Sequence, residues 1–342
     1  MPERPTLEEI GRIAGMSRST VSRVINGGVN VSPATKKRVE EVVARTGYRP
    51  HLVARSLVSN RTGVIGLVIP SDLETLFSDP YFGRLMLGLT DSANRMDMTL
   101  ALFLFDHDSK ENLIRSKVVN PGLVDGVIVT ATRIETPLID HLQEADIPTV
   151  VVGRLIDGPA MSSVDVDNEG GARQAALHLA RLGRERIGFI GAPAHTSAGI
   201  DRHRGFLDGL KEAGLSLEGR VQEGTWTQES GRIAMEKLLG DRPDAVFASS
   251  DRMAVGALRA VHDAGLHCPN DVAIVGFDGL ISPDQTVPEL TTVTQPVFQV
   301  GARAAELLNA VIDGTVGVPE RIIYPTELVV RQSCGASRLE GS

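Results

Sequence analysis

The chain has 342 residues, 42% of them hydrophobic and 23% charged, with a net charge of −8 at pH 7; this is the composition of a globular protein with material for two or three domains. Its two cysteines, Cys268 and Cys334, are too few for a disulfide framework and stand in no metal-ligand spacing. No run approaches the roughly 18 apolar residues of a membrane span, and acidic residues in MPERPTLEEIGRIAG occupy the place of a secretory signal's apolar core, so a cytoplasmic protein without cofactor, metal or membrane partner is expected.

The charge is unevenly placed. Residues 1–60 carry ten Lys and Arg against five Asp and Glu, whereas the remaining 282 carry 25 against 38, so a head of +5 precedes a body of −13. Phosphate attraction need act only where contact is made, so this asymmetry suits a modular DNA binder. A charged surface face is the alternative.

Within the head, Thr6-Leu7-Glu8-Glu9 reads as a capping box. Ile10, Ile13 and Ala14 then follow helical spacing up to a turn at Gly15. Ser17 is placed to cap a second helix with Val21, Val24 and Ile25 inward and Arg18, Ser19, Ser22 and Arg23 outward, ended by Asn26-Gly27-Gly28. Ser32-Pro33 opens a third helix, with Val39, Val42 and Val43 on its inner face and Gly47 at its close. Two short helices across a glycine turn, braced by a third, form the helix-turn-helix plan, in which the second helix presents its N-terminal side chains to the major groove. Arg18 and Arg23 are suited to bidentate contact with guanine. A three-helix scaffold with solvated arginines satisfies the same spacing.

The stretch from PTLEEIGRIAG through STVSRVIN, VSPAT and GYRP to ARSL resembles the DNA-binding head of the LacI/GalR family of transcription regulators. The resemblance implies that Arg18, Ser19 and Arg23 read bases, and that Thr6, Ser17, Ser22, Asn26, Ser32, Thr35 and Tyr48 contact the DNA backbone and fix register. It also gives meaning to residues 51–61, which alone read as a linker too short for a stable helix. In the family this hinge folds on DNA in a dimer and wedges a leucine into the minor groove; here that implies Leu57, flanked by Ala54 and Arg55.

From Gly63 onward, GVIGLVIP, LALFLF, DGVIVTA, PTVVVG, RIGFIG, AVFASSD and VAIVGFD are nearly continuous apolar runs, suited to parallel strands buried on both faces. Helical stretches alternate with them at 81–95, 112–120, 137–145, 170–182, 201–213, 230–239 and 252–264. Repeated βα units predict doubly wound subdomains with ligands beyond the carboxyl ends of the strands.

The resemblance continues through VDVDNEG, HLARLGRERIGFIGAP, RHRGF, ASSDRMAVGALRA, CPNDVAIVGFD and LTTVTQP to about residue 331. It implies a body like the periplasmic sugar-binding proteins, with crossovers near 162–166, 291–296 and 324–327. Asp278, Asp251, Arg202 and Arg154 at strand ends, with Trp226 as an aromatic platform, become candidate effector contacts; Phe77, Asp79 and Tyr81 in LFSDPYF are candidates for the opposite wall, and Gln295 for ordering a crossover. Carboxylates and guanidiniums around hydroxyls, beneath an aromatic face, are what a sugar site requires. Alternatives stand beside these: Asp251 as a helix cap, Trp226 as edge packing, and Arg154 paired with Asp157 or Asp167. His195 and His203 flank the expected ligand loop without a metal-spaced partner, as surface or capping histidines do.

The expected fold class is an all-α helix-turn-helix head plus an α/β body of two doubly wound parallel-sheet subdomains of the periplasmic-binding-protein type. The expected domains are 1–50, a hinge at 51–61, a ligand-binding and dimerisation body at 62–335, and a tail at 336–342. Within the body, one subdomain takes about 62–164 and 296–325, the other about 165–293 and 326–335. The expected function is that of a nucleoid-associated homodimeric repressor of carbohydrate-utilisation genes. It would bind pseudo-palindromic double-stranded operator DNA, with its affinity set by a small-molecule effector, a saccharide. The closing GASRLEGS shows no leucine heptad, so a dimer rather than a tetramer is expected. The other readings are a purine- or partner-protein-responsive regulator, a plain solute-binding protein, for which the basic head has no use, and an α/β enzyme, for which no GxSxG, P-loop or HExxH is present.

Overall fold

The structure, a computed structural model, describes residues 5–25, 31–48, 61–69, 73–104, 118, 122–130, 137–156, 160–317 and 319–336. The expected end of the second helix at Asn26, nearly all of the hinge, the stretch 112–120 apart from Val118, and Asp157 lie outside these residues. The chain divides into two compact units, Met1–Thr62 and Gly63–Ser342.

The first unit holds α1 (Leu7–Ala14), α2 (Arg18–Ile25) and α3 (Pro33–Thr46). Thr6 and Glu9 form a reciprocal capping box on α1, and Gly15 closes it in the left-handed region at φ 67°. A Cβ at Gly11 would stand 2.8 Å from the Met16 carbonyl, so glycine there lets the turn fold back against its own helix. Ser17 accepts from the Thr20 amide at 3.1 Å, Ser32 caps α3 with Pro33 in its first turn, and Gly47 ends it. Ile10, Ala14, Val21, Val24, Val39, Val42 and Tyr48 fill the core. Ile13 departs from the expected inner stripe: it is exposed, on the flank that the other helices leave uncovered.

Among the described residues, the second unit is built from two six-stranded sheets. The first-lobe sheet contains β1 (Val64–Ile69), β2 (Thr99–Leu104), β3 (Gly126–Thr130), β4 (Thr149–Val152), β5 (Ser163–Val166) and β11 (Arg321–Tyr324), in the order β11-β5-β4-β3-β1-β2 and parallel throughout. The second-lobe sheet contains β6 (Ile187–Gly191), β7 (Val221–Glu223), β8 (Ala245–Ala248), β9 (Ala273–Asp278), β10 (Thr291–Thr294) and β12 (Glu327–Val329), in the order β12-β10-β9-β8-β6-β7, with only β12 antiparallel. Helices α4 (Leu73–Ser78), α5 (Pro80–Arg95), α6 (Pro137–Glu144) and α11 (Val297–Ile312) serve the first lobe. Helices α7 (Asn168–Arg181), α8 (Ser197–Glu212), α9 (Gln228–Leu238) and α10 (Asp251–Asp263) serve the second.

Leaving aside the strands added late in the chain, both sheets repeat one doubly wound order, which opens a crevice at the carboxyl ends of the strands where the order reverses. The chain passes between lobes after β5, after β10 and between β11 and β12. The return helix α11 lies on α5 through reciprocal glycines: a Cβ at Gly88 would stand 2.0 Å from the Phe298 carbonyl, and one at Gly301 would stand 2.3 Å from that of Leu85. Among the described residues, no helix is long and apolar enough to cross a membrane.

Candidate DNA-reading helix and inter-lobe site

On the head, α2 leaves Arg18, Ser19 and Arg23 exposed on the side opposite Val21 and Val24. Arg18 forms a solvated ion pair with Glu8 at 3.1 Å, a weak restraint that an anionic ligand can displace. The hydroxyls of Thr6, Ser17 and Ser32 each cap a helix. These helix starts gather free amides and the positive end of the dipole, the arrangement that suits a phosphate oxygen. Ser22 is half-buried on α2, Thr35 lies in the first turn of α3, and Asn26 lies outside the described residues. Tyr48 is only 8% exposed and its ring belongs to the head's core, so any backbone contact falls to its hydroxyl. Burial, then Glu8, raises that phenol's pKa, which keeps it a neutral donor. Ala54, Arg55 and Leu57 lie outside the described residues.

In the body, the polar centre forms around Arg202 on α8. This side chain is 4% exposed, with Nε donating to Asn168 Oδ1 at 2.9 Å and Nη1 donating to the Ser249 carbonyl and to Asp278 Oδ1, the latter at 2.9 Å. Its guanidinium lies 3.7 Å from the Phe277 ring centre and 5.5 Å from that of Trp226. Asp278 ends β9 at φ 114°, and Trp226 has φ 65°; both depart from ordinary L-residue conformations at the site itself. Gln295, at the second crossover, donates from Nε2 to Asp278 Oδ1 at 2.7 Å and from its amide to the Asp278 carbonyl at 3.2 Å. The chain thus joins three of the expected residues, Arg202, Asp278 and Gln295, in one hydrogen-bonded cluster with Trp226 beside it.

From the first lobe, Asp79 caps α5 and accepts from the Tyr81 amide at 3.0 Å. Burial, then Asp165, raises the pKa of the Tyr81 phenol, with Arg202, Asp278 and Asp79 also in electrostatic range. Phe77, on α4, is 78% exposed and is not enclosed in this cluster.

Several expectations are corrected. Among the described residues Arg154 pairs with Asp201 and not with Asp167, donating from Nε to Asp201 Oδ2 at 2.8 Å and from Nη2 to Asp201 Oδ1; the alternative partner Asp157 lies outside the described residues. Asp251 is not the cap of α10, since Ser250 caps it. The Asp251 side chain turns into the core at 1% exposure and accepts from the Leu280 amide at 2.9 Å and from the Thr292 hydroxyl. Its carboxylate is committed to protein donors and buttresses the loop after Asp278 instead of facing an effector. His203 is a packing residue, stacked on Phe189 at 4.9 Å, with its pKa lowered by burial.

Residues not singled out as contacts also enter the site. Asn168 donates to Asp165 Oδ1 at 3.2 Å while accepting from Arg202, which links β5 to α8. Burial pushes the Asp165 carboxyl up to about 6, and burial likewise raises Asp278 despite Arg202. Asp201 is 5% exposed. The DN pair of VDVDNEG marked Asn168, whereas Asp201 carried no signal beyond adjacency to Arg202. Among the described residues, no cluster of His, Cys, Asp and Glu fit to hold a metal ion occurs.

Residues 6–51 match the bacterial regulatory proteins of the lacI family, and residues 176–334 match the periplasmic binding protein-like domain. The chain is similar to the HTH-type transcriptional regulator CelR of Thermobifida fusca, 37% identical over 335 residues that cover 96% of this chain and 98% of CelR. A solved structure of a CelR–cellobiose complex is 36% identical, with 96% of this chain and 100% of that one covered and a TM-score of 0.77. The fold is also that of the lac repressor dimer bound to operator and the anti-inducer ONPF, at 24% identity, 97% and 99% coverage and a TM-score of 0.83.

Proposed function

The chain belongs to the lacI family of bacterial regulatory proteins, a DNA-binding transcription regulator and not an enzyme, and from that premise we propose that it represses carbohydrate-utilisation genes as a cytoplasmic, nucleoid-associated homodimer whose operator affinity is set by a small saccharide. The domains in this reading are the head at 1–50, the hinge at 51–61, the two-lobed body at 62–335 and a tail at 336–342. Arg18, Ser19 and Arg23 read bases, the helix starts at Thr6, Ser17 and Ser32 hold phosphates, and Leu57 opens a central step in the minor groove.

The observation that carries the effector reading is the Arg202–Asp278–Gln295 cluster beside Trp226, in a chain 36% identical throughout to a regulator solved with cellobiose. A sugar hydroxyl both donates and accepts, so an aspartate with an oxygen to spare and an arginine with free N–H groups can each take one, while Trp226 offers its face to the ring's C–H side. Binding there changes how the lobes face one another, and through them the distance between the two hinges of the dimer. Selection of duplexes from a random pool by the purified chain, repeated with cellobiose present, tests this. A recovered pseudo-palindrome whose retention cellobiose alters is expected; recovery of unrelated sequences with and without sugar contradicts it.

A further inference from the structure

Two arginines of the crevice reach across it. Arg154, on the loop after β4 in the first lobe, holds Asp201 of α8 in the second. Arg252, in the first turn of α10 in the second lobe, reaches back to Asp79 of the first at 3.4 Å and to the Ser78 hydroxyl at 3.2 Å. Each lobe therefore supplies one cation and one anion. None of the four side chains is more than 20% exposed, so solvent and salt screen them less than a surface pair.

Each pair also adjoins the polar centre in sequence. Asp201 precedes Arg202. Arg252 follows Asp251, whose carboxylate holds the Leu280 amide just beyond Asp278. Asp79 sets the start of α5 and hence the place of Tyr81. Asp201 thus stands one residue from Arg202, and Asp79 two residues from Tyr81.

We infer that Arg154–Asp201 and Arg252–Asp79 are reciprocal inter-lobe ties that hold the crevice closed and position Arg202, Asp278 and Tyr81 for the effector. The inference rests on the saccharide reading of the site. It makes Arg154 and Arg252 positioning residues, with Asp201, Asp79 and Ser78 as their partners across the crevice.

Replacing both arginines by methionine, Arg154→Met with Arg252→Met, strands no buried anion, because Asp201 keeps Arg204 at 3.3 Å and Asp79 keeps the start of α5. Calorimetric titration of the full chain with cellobiose reads the effect of the ties on the site. The double variant should bind about tenfold more weakly than the wild type, with Arg252→Lys in between because it keeps the charge. Wild-type affinity in the double variant, or Arg252→Lys in an Arg154→Met background binding no better than the double variant, overturns the inference.

Trp226, the chain's one tryptophan, supplies a measurement without ligand. Acrylamide should quench it more strongly in the folded double variant than in the wild type, and equal quenching would overturn the ties. Should cellobiose fail to bind the wild type while the quenching difference is present, the saccharide reading falls and the ties stand.

Discussion

Arg202 and Asp278, 76 residues apart in sequence, meet at 2.9 Å with both side chains largely buried, and Gln295 of the second crossover donates to the same carboxylate oxygen. The pair lies at the carboxyl ends of the second-lobe strands, and Gln295 lies where the chain leaves that lobe for α11. The proposed effector site and the passage of the chain between lobes therefore share one hydrogen-bonded cluster.

Asp278→Asn keeps the volume and the Gln295 contact but removes the anion beside Arg202. The operator affinity of this variant should no longer change with cellobiose, and its stability should fall by about 1–3 kcal/mol because a buried guanidinium loses its counter-charge. Fluorescence anisotropy on a labelled operator, paired with thermal melting, checks both. A response to sugar matching the wild type would remove Asp278 from the site.

The carboxyl of Asp165 sits at about 6, against 3.8 for an ordinary aspartate, chiefly because burial penalises its charged form. The folded chain binds this proton more tightly than the unfolded chain, so the group favours folding most below about pH 4. That contribution declines as pH rises through the interval from 4 to 6 and is lost above it. The swing is on the order of 2–3 kcal/mol. Denaturant midpoints measured across that interval should change less with pH in Asp165→Asn than in the wild type; parallel profiles would count against the assignment.

Arg23→Ala should cost about 1–3 kcal/mol on the cognate duplex and relax discrimination at one base pair in each half-site. Footprinting and a panel of single-substituted operators read this. Uniform weakening across all sequences would instead make Arg23 a phosphate contact.

Leu57→Ala should weaken binding to the cognate operator while cellobiose binding to the free protein stays within about twofold, since the wedge acts only on DNA and unstacking costs a few kcal/mol that its contacts must offset. Equal losses on random and cognate duplex would reject the wedge.

Much of this architecture is written locally. GVIGLVIP, DGVIVTA and VAIVGFD announce β1, β3 and β9 because strands buried on both faces need apolar residues throughout, and Thr6 with Glu9 announces the start of α1. The runs SVDV of β5 and TTVT of β10 are buried but polar, and the β10 hydroxyls are satisfied by partners distant in sequence, such as Asp251 for Thr292 and the Glu327 carbonyl for Thr294. Periodicity carries no trace of such bonds. The same limit hid Asp201 as the partner of Arg154, 47 residues away and in the other lobe, and turned Asp251 from a plausible contact into a buttress. What resisted reading are side-chain bonds between elements far apart in the chain, whether across the lobes, as for Arg154 and Asp201, or within one, as for Asp251 and Thr292.

The most direct measurement is titration of a cognate operator duplex with the full chain at fixed salt, in the absence and presence of saturating cellobiose. The account predicts that the two dissociation constants differ by about 5- to 150-fold, the range of ordinary allosteric coupling. Superimposable curves, with the sugar shown calorimetrically to be bound, would contradict it.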